Sequence, residues 1–163
     1  MKTIDINSRS PGISAVLSNL YHKPFIMDNM FFGSIEGFLQ GTRYQDPAEQ
    51  RKIFEKSGID AKRAGRDMPI KNDTLYWQGV PMHRLSERYI TLCTKAYECC
   101  FAQNTIFQKA LYESIGSKLE HSIGKNDPLQ TILTNDEFIG NLDILRRKYT
   151  KFLTKLYGTT DEK

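Results

Sequence analysis

The chain is poor in the features that announce most familiar activities. Its 163 residues include only three cysteines, Cys93, Cys99 and Cys100. An odd number, two of them adjacent, makes no disulfide framework. No paired C-x-x-C is present to join His83 and His121 in a zinc site, so reduced, partly buried thiols are expected and no metal. There is no glycine-rich phosphate loop, no HExxH and no GxSxG. Those absences argue against P-loop, zinc-protease and serine-triad chemistry. No stretch approaches the ~18 apolar residues of a membrane span, and "MKTIDINSRSPG" lacks the apolar run of a signal peptide. The expectation is a cytosolic protein with no anchor. Runs of like charge, internal repeats and low-complexity segments are also missing.

What is present is ordinary in bulk. Hydrophobic residues make up 39% and charged residues 26%, as in soluble globular domains. The 23 basic and 19 acidic side chains leave a net charge of +4, a mild excess that fits a phosphorylated ligand or weak contact with nucleic acid. The densest basic spot, "RRKY" at Arg146 to Tyr149, reads as a solvated helix face. The length suits one domain with a real core. We place it at residues 14–158, after an N-terminal arm (1–13) and before a tail (159–163).

The expected fold is mainly helical with a small N-terminal β element. "FIMDNMFF" flanks the turn pair Asp28-Asn29 with apolar residues and predicts a hairpin. Residues 33–44 predict a helix that starts near Ser34. In "DPAEQRKIFEKSG", Asp46 caps, Pro47 suits the first turn, Glu49 completes a capping box and Gly58 ends the helix. "DAKRAG" reads as a short helical turn closed by Gly65. Residues 81–103 form an amphipathic stretch whose face is Leu85, Tyr89, Leu92, Ala96, Cys99 and Cys100. Asn104 starts the next helix, which runs to Gly116. The last helix opens on the capping box Thr134 to Glu137 and carries the stripe Phe138, Leu142, Leu145, Tyr149, Phe152 and Leu156 until Gly158 stops it. That stripe is expected in the core.

One segment resists this plain reading. In "GSIEGFLQGTRY" a carboxylate, Glu36, sits among core-bound residues, and Gly37 and Gly41 weaken the helix by roughly 1 kcal/mol each. Close backbone packing or space for a ligand would account for them. Glu36, Gln40 and Arg43 share one helix face at i, i+4, i+7. Ser18 and Asn19 offer short polar groups upstream, Lys62, Arg63 and Arg66 supply cations downstream, and Trp77 stands in a loop-like setting. Arginine and lysine grip phosphate, tryptophan stacks on a base or sugar, and a carboxylate can work at a reacting carbon. A simple salt bridge between Glu36 and Arg43 is the competing explanation.

The order "LSNLY … SIEGFLQGTRY … AKRAGR … W … FAQN … LE" resembles the NADAR/YbiA-like family. That family reads F-S-N-F, S-x-E-H-x-x-Q-A-x-K-F, A-K-x-x-G-R, a tryptophan, K-F-x-Q-N and L-V-E, followed by D-x-x-W-G and a closing glycine- and arginine-containing segment. Ser18 and Asn19 match its S-N pair, Glu36 its glutamate and Gln40 its glutamine. Lys62, Gly65 and Arg66 match the A-K-x-x-G-R element, Trp77 the tryptophan, Gln103 and Asn104 the Q-N, and Glu120 the L-V-E. "IGNLDILRR" resembles the closing segment. The family histidine is Gly37 here, its lysine is Arg43, and D-x-x-W-G survives only as Asp127.

The resemblance implies an N-glycosidase that acts on ribosylamine-type or ADP-ribosylated nucleotide-like compounds, free or attached to nucleic acid. No cofactor is implied. Glu36 would activate water or stabilise an oxocarbenium-like state. Lys62 would clamp phosphate or act as an amine nucleophile. Ser18, Asn19, Gln40, Arg43, Arg66, Trp77 and Asp127 would line the substrate site. Arginine is not readily deprotonated, so Arg43 keeps a second function open: a nucleotide-binding module that sequesters its ligand. A protein-interaction role with the basic last helix as contact face is the third.

Overall fold

Helices and short strand ribbons wrapped around a continuous apolar core define the computed structural model, which describes residues 1–158. The described residues form seven helices and six short strands in the order β1 (Thr3–Asp5), α1 (Ile13–Leu17), β2 (Phe25–Met27), β3 (Met30–Phe32), α2 (Ile35–Gly41), α3 (Pro47–Phe54), α4 (Gly58–Asp67), β4 (Thr74–Trp77), β5 (Val80–His83), α5 (Glu87–Gln103), α6 (Thr105–Glu113), β6 (Lys118–Glu120) and α7 (Asn135–Tyr157). The fold is mainly helical, as expected. The expected tail, 159–163, lies outside the described residues.

The strands form three two-stranded ribbons. Two of them are hairpins. In β2–β3, Asp28 and Asn29 both take positive φ, 51° and 60°, the geometry of a tight primed turn. The β4–β5 hairpin turns at Gln78-Gly79 and was read as loop and helix from the sequence. The third ribbon pairs β1 with β6 in parallel, Ile4 opposite Leu119. Residues 1–13 are therefore no free arm: Ile4 and Ile6 are buried members of the core.

Capping residues set most helix starts. Ser34, Asp46, Ser86 and Thr134 each accept a backbone N–H of the first turn. The capping box of α7 is complete. Gly58 does not end a helix. It takes φ +55° at the start of α4, so α4 runs from Gly58 to Asp67 and Gly65 lies inside it. The stretch 81–103 divides into β5 and α5, and the buried face of α5 is Tyr89, Cys93, Ala96, Tyr97, Cys100 and Phe101. Leu85 is exposed. On α7 the stripe drifts: Phe138, Leu142 and Leu145 are buried, but Leu153 replaces Phe152, which is 46% exposed. A straight helix of 3.6 residues per turn leaves a 3.5-residue repeat behind by about 20° per heptad.

Close packing explains the glycines of α2. A Cβ at Gly37 would stand 2.4 Å from the Lys56 carbonyl oxygen, and one at Gly41 would meet the Phe54 ring at 2.3 Å. Helix α2 lies directly against α3 and the α3–α4 connection. That contact fixes which face of α2 looks outward.

Candidate functional site

The outward face of α2 carries Glu36 and Gln40, and Arg43 follows in the turn after the helix, which ends at Gly41 rather than at 44; together they form the floor of a cleft of about 340 Å³. Ser18, Asn19 and Leu20 form one rim, and Lys62 of α4 another. The far wall is the loop after β6, from His121 to Asn135, with Phe138 of α7.

A hydrogen-bonded series orients the carboxylate. Arg43 Nε donates to Gln40 Oε1 at 2.6 Å. A guanidinium only donates, so that atom of Gln40 must be its oxygen. The amide nitrogen Nε2 then faces Glu36 and donates to Oε1 at 2.8 Å. Arg43 is anchored in turn by the Met68 carbonyl. The contact that the alternative reading requires, Arg43 on Glu36 itself, is replaced by this two-step arrangement. Gly65 makes it possible, since a Cβ there would fall 2.2 Å from Gln40 Oε1.

Glu36 is partly buried and its second oxygen accepts no hydrogen bond from a described residue. Burial pushes its carboxyl above the ordinary range, against the opposing effects of the Gln40 hydrogen bond and the charges of Arg43, Lys62 and His121. The result is a proton acceptor more basic than an exposed glutamate, open on one side to the cleft.

The rim is equally fixed. Lys23 is fully buried and donates to the carbonyls of Val16 at 2.6 Å and Ser18 at 3.0 Å, which holds the Ser18–Asn19 turn in place. Asn19 Oδ1 accepts from the Tyr97 hydroxyl at 2.7 Å, and its backbone carbonyl accepts from Glu36 N. Asn19 Nδ2 has no hydrogen-bond acceptor among the described residues and is left as a donor at the cleft. Across the cleft, buried Arg84 donates to the Thr131 carbonyl and pairs with both oxygens of Glu137. The Tyr89 hydroxyl holds the Ile132 carbonyl at 2.6 Å.

The structure brings together Ser18, Asn19, Glu36, Gln40, Arg43 and Lys62. It does not bring in the other three residues read from the sequence. Trp77 ends β4 in the core, packed with Phe32, Phe38 and Phe54 at centroid distances of 5.6 to 6.4 Å; strand alternation turns it inward. Arg66 is exposed one turn beyond Lys62, and Asp127 is exposed in its loop, where its carboxylate accepts Leu129 N. Two ionisable residues that the sequence pattern does not assign to the site, His121 and Lys125, line the cleft. Their only signal was position next to the "LE" element.

A sequence model of the family described as bacteriophage protein GP30.3 matches residues 12–147. A 17.1 kDa protein from the Gp30–rIII intergenic region of Enterobacteria phage T4 is 43% identical over 152 residues, covering 90% of this chain and 98% of the relative. Among solved structures, the NMR structure of the E. coli protein YbiA superposes with a TM-score of 0.63 over 99% of this chain and 92% of its own, at 18% identity. The chain has the fold of YbiA and belongs to the bacteriophage protein GP30.3 family.

Proposed function

We propose that the protein hydrolyses an N-glycosidic bond between a phosphorylated ribose and a nitrogen leaving group. The observation that carries this reading is Glu36. One oxygen is held by Gln40, the other faces a cleft, and the carboxyl is made more basic by burial. Cleavage of a C–N glycosidic bond builds positive charge on the sugar. A carboxylate beside the anomeric carbon stabilises that charge and takes a proton from the attacking water.

The surroundings fit the substrate class. Lys62, Arg43 and Lys125 give the cleft a cationic lining against the single carboxylate. Lys62 makes no ion pair with a described residue and is available to a phosphate. A second hollow of about 350 Å³, lined also by Arg9 and Tyr21, shares Ser8, Leu20 and Lys62 with the cleft. That hollow supports a ligand of nucleotide size rather than a bare sugar phosphate.

The test is single-turnover kinetics on an N-ribosylated 5′-phosphate that the native protein cleaves. Glu36→Gln keeps the shape and the Gln40 contact but removes the base. We expect the rate to fall by about 10²–10⁴-fold with binding retained. Unchanged turnover would remove Glu36 from the chemistry. Tight binding by the native protein without cleavage of any N-ribosyl compound would favour the sequestering module.

A further inference from the structure

His121 follows β6 directly, and its ring is built into the far wall of the cleft. Its Nδ1 lies 2.7 Å from the Ile6 carbonyl oxygen. A carbonyl only accepts, so Nδ1 carries the hydrogen and Nε2 of the neutral ring is the basic nitrogen. The Phe138 ring stands across it at 5.4 Å and 83°. Gly124 leaves the ring its space, since a Cβ there would come within 2.7 Å of His121 Cδ2. Nε2 has no hydrogen-bond partner among the described residues, although the ring is only partly exposed. A histidine that served packing alone would not be fixed in tautomer and rotation with its reactive nitrogen left free at a cleft.

We propose that His121 is the general acid of the reaction, delivering a proton from Nε2 to the departing nitrogen, and this rests on the N-glycosidase reading given above. Nitrogen leaving groups depart poorly as anions, so the carboxylate alone completes only half of the chemistry. In the balanced step, water attacks the anomeric carbon as the C–N bond breaks. Glu36 takes one proton of the water, and the electron pair of the broken bond goes to the nitrogen, which takes the Nε2 proton of the imidazolium. The sugar gains the hydroxyl, Glu36 is left protonated and His121 neutral. Proton exchange through solvent restores both. The charged groups beside the ring or sharing its cleft are Asp5 of β1, Glu36 of α2, Arg43 in the turn after α2, Lys62 of α4 and Lys125 of its own loop. The His121 charge favours the ionised form of Glu36.

The experiment compares two substrates in His121→Asn, which keeps a donor for the Ile6 carbonyl but cannot titrate. On an N-ribosyl 5′-phosphate the rate should fall by at least about 10²-fold with KM unchanged, and the alkaline limb of the kcat/KM profile should vanish. On 4-nitrophenyl ribofuranoside 5-phosphate, whose phenolate leaves without a proton, the variant should match the native protein. Equal losses on both substrates, or a preserved alkaline limb, would overturn the assignment. Nitrogen-15 NMR of the native protein should show the neutral ring protonated at Nδ1, and the other tautomer would also overturn it. Glu36→Gln separates this idea from the one beneath it, because a lost base slows both substrates alike. Leaving-group discrimination in His121→Asn beside normal turnover in Glu36→Gln would keep His121 and discard Glu36, and the reverse pattern would discard His121 alone. Failure of the native protein to cleave either substrate overturns both.

Discussion

Two glycines in contact with the same short helix do different work. The missing Cβ of Gly37 makes room for backbone carbonyls of Phe54 and Lys56, which cannot give way. The missing Cβ of Gly65 makes room only for the end of the Gln40 side chain, which can. Gly37→Ala should therefore destabilise the fold by about 1–3 kcal/mol, read as a shift in urea midpoint. Gly65→Ala should fold about as well as the native protein, because a helix gains up to ~1 kcal/mol from the exchange while Gln40 is displaced. Its effect belongs to Glu36. The Gln40 hydrogen bond lowers the carboxyl pKa, so its loss raises that pKa further and moves the acid limb of the activity profile to higher pH. An unmoved limb would show that Gln40 does not set the basicity of Glu36. The same contact explains a departure from the family pattern, since a histidine side chain cannot be placed at position 37 against two carbonyls.

Helix α7 shows where a sequence pattern serves and where geometry takes over. Its start was legible in full, because a capping box is local chemistry between Thr134 and Glu137. Its buried stripe was legible for three turns and then not, because the repeat changes from 152 to 153. Leu153→Ala should cost about 2–5 kcal/mol, as for a fully buried leucine, and Phe152→Ala about 1 kcal/mol or less. Thermal or urea unfolding of the two variants checks that register. The β2–β3 hairpin was readable from Asp28-Asn29, whereas β4–β5 was hidden by a Gln-Gly turn and by Pro81 inside a strand, a residue confined to edges. Trp77 was misplaced for the same reason: with no hairpin recognised, nothing turned it inward. The floor of the cleft was readable because Glu36 and Gln40 lie on one helix and Arg43 in the turn that directly follows it. His121 was not, because its setting depends on Ile6, 115 residues away.

Across the whole molecule, one buried cation ties the site rim to the core and leaves a mark on stability. Burial pushes the Lys23 ammonium down from its ordinary 10.5 to about 8. Between those values the unfolded chain holds more protons than the folded one, so stability should rise with pH from about 8 upward. Cys93 and Cys100, which burial pushes from 9 to about 12 and about 11, act in the opposite sense from about pH 9, and Tyr89 and Tyr97, pushed above their ordinary 10 by burial, do so once the pH passes 10. Urea midpoints measured from pH 8 to 10 should rise in the native protein relative to Lys23→Met, since the cysteine contribution is common to both and cancels in the difference. A difference between the two proteins that does not change across that window would mean that the two carbonyls and the Phe107 ring, 4.4 Å from Nζ, compensate the lost hydration.

The parallel pairing of β1 with β6 carries a consequence for synthesis. Thr3, Ile4 and Asp5 are made first and wait for Lys118, Leu119 and Glu120. Until those residues leave the ribosome, Ile6 has no histidine to fix and the hydrophobic side of the first strand has no neighbour in the sheet. Closing so long a loop is entropically slow. A ribosome-stalled fragment ending before Lys118 should therefore remain open to protease at its N-terminus, and protection there should appear only after the last wall of the cleft has been translated.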